Sequence, residues 1–267
     1  MKKYFAFFRL RFFMGLQYRA AALAGVATQF AWGFFMILGF CAFYEADAAS
    51  FPMPLSATVS YIWLQQAFIH FFSVWGMDNE IFDLIINGNI AYELCRPIHI
   101  YSMWFARGIA GRLSGALLRC FPILMITPFL PEPFAMLPPA SGMHFVLFLV
   151  TLVMGLAVTI AICTLVYMLA FFTISPQGLR TFICSAVELL AGAVVPLPFF
   201  PERIRFVAEL LPFASMQNAP LRIYSGSMTD YEMARAVGLQ LFWLIVLLMA
   251  GRALAHAAEK KVIIQGG

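Results

Sequence analysis

MHFVLFLVTLVMGLAVTIAICTLVYMLAFFT, residues 143–173, runs for 31 residues without an aspartate, glutamate, lysine or arginine. A helix at the surface of a soluble domain carries a polar face, whereas about 20 apolar residues cross a bilayer core of about 30 Å. The stretch is therefore read as a membrane-spanning helix. Five further blocks reach that length, at residues 20–43, 55–77, about 108–130, 177–200 and 236–256. Composition agrees: 63% of the 267 residues are hydrophobic and 11% charged, against about 25% charged in soluble domains, and the mean hydropathy is +0.86. The expected fold class is an all-α polytopic membrane protein, six transmembrane helices in one domain over residues 1–267. A soluble catalytic domain has no room.

The net charge of +4 matters less than its placement. Lys2, Lys3, Arg9, Arg11 and Arg19 precede the first span. Arg96, Arg107 and Arg112 surround the connection from the second to the third, Arg180 joins the fourth to the fifth, and Arg252, Lys260 and Lys261 follow the sixth. The opposite loops hold Glu45, Asp47 and Glu132, and only the fifth is mixed, with Arg203, Arg205, Arg222 and Arg235 against Glu202, Glu209, Asp230 and Glu232. The positive-inside rule puts both termini in the cytoplasm. Arginines interrupt the N-terminal apolar run and no small-residue cleavage site follows it, so residues 1–19 are read as a mature interfacial elbow helix. Phe5, Phe8, Phe12 and Leu16 share its apolar stripe. Cys41, Cys95, Cys120, Cys163 and Cys184 are scattered and show no CxxC or zinc spacing.

Two loops on opposite sides carry the functional content. In the cytoplasmic loop, residues 78–101, Asp78 is the expected N-cap of a short helix. Glu80 and Asp83 suit its positive end, Ile81, Leu84 and Ile85 form a stripe, and Gly88 is placed to end it in the left-handed conformation. Such a helix either tidies a loop or docks a cytoplasmic partner. In the fifth loop, prolines 196, 198, 201, 212 and 220 divide residues 196–230 into an external or re-entrant helical segment. Ile204, Val207, Ala208 and Leu211 make its apolar stripe, and Arg205 and Glu209 are spaced to pair at i, i+4.

These two loops resemble signatures of the ABC-2 type permeases, the membrane subunits of bacterial ABC exporters. Ile85, Ile86, Gly88, Ile90, Leu94, Arg96, Pro97 and Ile98 look like the family's motif between the second and third spans. Gly192, Pro196, Pro201, Leu211, Pro212 and Phe213, then Tyr224 and Gly226, look like its proline-bracketed external segment. The resemblance implies a subunit of the bacterial cytoplasmic (inner) membrane that pairs with a second permease, the same or a different chain. It also implies a cytoplasmic ABC ATPase dimer as partner. ATP and Mg are then expected on the ATPase, in keeping with the lack of a phosphate loop in this sequence; no cofactor and no nucleic acid are expected on this chain itself. Glu80, Ile81, Asp83, Leu84, Gly88, Arg96 and Pro97 would couple to the ATPase, and Pro196, Pro201, Arg205, Glu209 and Pro212 would form an external gate.

Polar residues inside the spans are the candidates for a transport path: Gln29, Gln66, His70 and Glu188. An intramembrane carboxylate is costly unless paired or wet, and Arg119 is the partner the sequence offers Glu188. Gln29 and Gln66 can equally be hydrogen-bonding glue between helices. Widely separated His70, His99, His144 and His256 speak against a metalloprotease, and no G-x-S-x-G elbow is present. The readings competing with an exporter subunit are an ATP-independent carrier or channel and a membrane scaffold.

Overall fold

A computed structural model describes residues 2–95 and 98–261, and no strand occurs among them. In chain order the helices are α1 (Lys2–Gly15), α2 (Arg19–Ala46), α3 (Leu55–Ala67), α4 (Ile69–Phe72), α5 (Asn79–Ile86), α6 (Ile90–Leu94), α7 (Ile100–Ile126), α8 (Gly142–Ala170), α9 (Pro176–Leu190), α10 (Glu202–Leu210), α11 (Asn218–Tyr224) and α12 (Asp230–Lys261). Four of them, α2, α7, α8 and α12, are long and apolar enough to cross a membrane. The architecture is that of an all-helical polytopic membrane protein.

The two remaining expected spans differ from the sequence reading in an informative way. Block 55–77 is not one helix: α3 ends at Ala67, Phe68 leaves helical geometry with φ −106° and ψ 20°, and α4 is a single turn. The guanidinium of Arg112 in α7 donates to the carbonyls of His70 (2.9 Å) and Ser73 (2.6 Å), which satisfies two acceptors just beyond the break. Block 177–200 is helical only as far as Leu190, about 22 Å of helix. Gly192 at φ +78° turns the chain. The carbonyls of Gly192 and Ala193 are met by the Tyr61 hydroxyl (3.4 Å) and the Gln65 amide (2.6 Å) of α3.

Block 108–130 starts earlier than expected, at Ile100. Its first half runs beside α1: the Tyr4 hydroxyl accepts from the His99 N–H at 3.3 Å, and Gly15 abuts Ser114. The half-buried face of α1 includes Phe7, Phe8, Arg11 and Phe12, while Phe5, expected on the same stripe, is 68% exposed.

At the bundle centre lies α8. One apolar cluster joins it to α5, α7, α9 and α12 through Phe82, Trp104, Val166, Tyr167 and Val187. A second cluster joins it to α2, α3, α7 and α11 through Ile37, Trp63, Ile123, Phe148 and Tyr224. Between α9 and α12 the chain dives into the bundle. Every residue of α11 is buried, and the Met216 carbonyl reaches Gly155, halfway along α8, where an added Cβ would lie 2.2 Å from the oxygen. Gln240 of α12, itself fully buried, donates to the carbonyls of Ser215 and Thr151 at 2.8 Å each. Irregular backbone deep in a helical bundle persists only when protein groups satisfy it in this way.

Candidate functional site

The short helix of the 78–101 loop forms as its sequence dictates. The Asp78 carboxylate accepts from the Glu80 N–H at 3.0 Å as N-cap, and Gly88 adopts φ +72° just beyond the last turn. What the sequence did not reveal is how firmly that helix is held. Arg107 of α7, buried, meets the carboxylates of Asp78 at 2.5 Å and of Glu80. Arg11 of α1 approaches Glu80 at 3.5 Å. Arg180 of α9 donates to the Asn79 side chain and, at 2.9 Å, to the Trp75 carbonyl, with its guanidinium 5.6 Å from the Phe82 ring centre. The Asp78 N–H donates to the Tyr167 hydroxyl of α8 at 2.6 Å.

Four helices thus grip the N-terminal end of α5. Ile81 and Phe82 are buried beneath it, Leu84 is half-buried, and Asp83, Ile86, Gly88 and Tyr92 face outward. Partial burial pushes the Glu80 carboxyl up, but Arg107 and Arg11 outweigh it and hold it below the usual carboxylate range. Arg96 and Pro97 lie outside the described residues.

The transport-path candidates separate. Gln66 and Glu188 come together on a cavity of about 580 Å³ between α2, α3–α4 and α9, with Trp32, Phe35, Gln65 and Trp75. Glu188 does not meet Arg119: its carboxylate accepts from the Trp75 indole N–H at 2.8 Å. Arg119 instead leans on the first turns of α2, 3.5 Å from the Ala21 carbonyl and against Gly25. It lies level with the start of α2, because the first half of α7 runs alongside α1. His70 lines a different cavity, about 380 Å³, with Arg107, Arg112 and Arg119. Gln29 is buried away from both cavities, and neither of its amide atoms has a hydrogen-bond partner among the described residues.

In the fifth loop the expected pair is replaced. Glu209 accepts from buried Arg222 of α11 at 3.1 Å rather than pairing with Arg205, and Arg222 also lies 3.7 Å from Glu232. The helix is rotated relative to its sequence reading: Ala208 is buried and Glu209 half-buried, whereas Ile204 and Val207 are more than half exposed. An arginine in the re-entrant segment outcompetes the local partner because it is already desolvated and needs a carboxylate. Pro196 starts a 3-10 turn at Leu197–Phe199, Pro201 precedes α10, and buried Pro212 follows it.

Asp78, Arg107, Arg180 and Arg222 are the residues that sequence reasoning undervalued. Each was visible as a cap or a topological charge. Their partners lie 27 residues away for Arg107 and Glu80, 101 for Arg180 and Asn79, and on another helix for Arg222, beyond any local spacing rule.

No curated protein matches the chain. A family model described as ABC-2 family transporter protein matches residues 55–266, from the start of α3 through α12, and so includes both loops, the whole 380 Å³ cavity and every wall of the 580 Å³ cavity except α2. A family of transport permeases accounts for the apolar helices, and by its extent the match shows that the chain belongs to the ABC-2 transporter family.

Proposed function

We propose that the chain is the membrane-spanning permease subunit of an ATP-binding cassette exporter in a bacterial cytoplasmic membrane. It crosses six times, with α3–α4 and α9 as the short second and fifth passes and both termini cytoplasmic. It pairs with a second permease, and an ATPase dimer carrying ATP and Mg docks on α5. Carried over from the family resemblance, α1 is the elbow helix, α5 the coupling helix, and the 196–230 segment the external gate.

The observation that carries this reading is the grip on α5. A helix that only closed a loop would not need buried Arg107 together with Arg11, Arg180 and Tyr167 at one end. Held by four helices, it cannot tilt without moving α1, α7, α8 and α9, so a push on its exposed face at Asp83 and Ile86 reaches α9, one wall of the 580 Å³ cavity. Cargo passing along Gln66 and Glu188 would feel that motion. The break at Phe68 is a feature an ATP-independent carrier would also use.

One experiment separates the two. The chain is co-purified with a candidate ABC ATPase from its native membrane, and turnover is measured in proteoliposomes with and without this subunit. Stable association and turnover that depends on the subunit, both lost in Ile86→Glu, support the exporter. Full transport by the chain alone under an ion gradient overturns it.

A further inference from the structure

We propose that the 580 Å³ cavity is a binding site for lipophilic cations. The proposal rests on reading this cavity as the cargo route and names the cargo's charge class. Its volume lies within the roughly 300–1,000 Å³ of small-molecule pockets. Glu188 is the one ionisable side chain on its wall, and among the described residues no lysine, arginine or histidine lies within ion-pair distance of it. Its hydrogen-bond donor is the neutral indole of Trp75. A carboxylate in apolar surroundings with only a neutral donor lacks the positive charge that would offset its desolvation, and a bound cation supplies it.

The rest of the wall fits the same ligand. Trp32, Phe35, Phe72 and Trp75 line the cavity, and aromatic faces attract cations by about 0.5–2 kcal/mol each. Gln65 donates to the Ala193 carbonyl, and its amide oxygen, an acceptor, is buried without a partner among the described residues. Arg107, Arg112 and Arg119 line the neighbouring 380 Å³ cavity, and the two arginines that reach this wall, Arg112 and Arg180, donate to the backbone carbonyls of Ser73 and Trp75. Among the described residues, no lysine, arginine or histidine side chain lines the cavity that holds Glu188.

Tetraphenylphosphonium and tetraphenylborate, alike in size and hydrophobicity and opposite in charge, isolate the electrostatic part. Equilibrium dialysis of each against the full-length chain in neutral detergent, with empty micelles as control, needs no ATPase. A missing ATPase complex would sink the exporter and leave this measurement standing. Saturable phosphonium binding is expected, weakened at least tenfold by Glu188→Gln, which keeps an acceptor for Trp75, and retained in Glu188→Asp. Tetraphenylborate binding should be unchanged by Glu188→Gln. Val194→Trp, which fills the cavity from an exposed wall position, should abolish phosphonium binding without touching the carboxylate. Phosphonium affinity equal in wild type and Glu188→Gln, an equal loss of both ions in that variant, or undiminished phosphonium binding by Val194→Trp would overturn the site.

Discussion

Gly155→Ala should expel the re-entrant backbone from the bundle. A Cβ at residue 155 would sit 2.2 Å from the Met216 carbonyl oxygen, below the 3.0 Å that such contacts keep. The obstacle is backbone, not the end of a flexible side chain, so the segment around Met216 must withdraw by about 1 Å in a region packed as densely as a crystal. Overpacking of this kind costs about 1–3 kcal/mol. The withdrawal also pulls the neighbouring Ser215 carbonyl from the Gln240 amide, 2.8 Å away, and a hydrogen bond between membrane helices is worth about 0.6 kcal/mol on average, up to about 1.7. The sum is about 2–4 kcal/mol, a fall in melting temperature on the order of 5–10 °C.

Melting of the detergent-solubilised protein reads the first quantity. Thiol labelling of Met216→Cys, fully buried in the wild type, in a Cys95→Ser background reads the withdrawal directly. Gln240→Leu should lower stability by about 1–3 kcal/mol on its own, since it strands the Ser215 and Thr151 carbonyls. Because both substitutions act on one strand of backbone, the double variant should fall short of additivity by about 0.5–1 kcal/mol. A Gly155→Ala protein that melts within about 1 °C of wild type, with residue 216 still unreactive and the pair additive, would refute the close approach.

At the α5 end of the bundle, Arg107→Gln leaves Asp78 and Glu80 facing a neutral amide. Because both carboxylates are partly exposed, screening holds the cost to about 1–2 kcal/mol. The variant should insert normally yet lose subunit-dependent ATPase turnover, checked in the co-purified complex. Gly88→Pro and a charge reversal at Glu80 and Asp83 should uncouple in the same assay, and normal coupled export by either would count against the docking role of α5. Glu80 is held below its ordinary value, so its contribution is complete above about pH 4.3 and disappears as pH falls through the depressed value. Acrylamide quenching of tryptophan fluorescence should rise in that acid range in the wild type and lose its pH dependence in Glu80→Gln. In the 196–230 segment, cysteines at exposed Glu202 and Arg203 should react with impermeant reagents added outside, and one at Glu209, turned toward Arg222, more slowly. Labelling only from the cytoplasm would reverse the topology.

Sequence by itself determined what local chemistry determines. Uninterrupted apolar length named the membrane class and located α2, α7, α8 and α12, because a bilayer selects on length and hydrophobicity alone. The cap at Asp78 and the left-handed Gly88 were legible, since capping involves neighbours within one turn. The two loop motifs pointed to the family that the match over residues 55–266 bears out.

Tertiary structure decided the rest. Whether residues 55–77 and 177–200 remain helical depended on partners elsewhere in the chain: Arg112 for the carbonyls beyond Phe68, and Tyr61 and Gln65 for those of Gly192 and Ala193. An apolar run permits a helix, but in a low-dielectric interior any break that protein groups satisfy is also permitted. The charged residues changed partners for the same reason. Spacing offered Arg205 to Glu209 and depth offered Arg119 to Glu188, yet a buried charge pairs with whatever packing brings to it, which proved to be Arg222 for one and the Trp75 indole for the other.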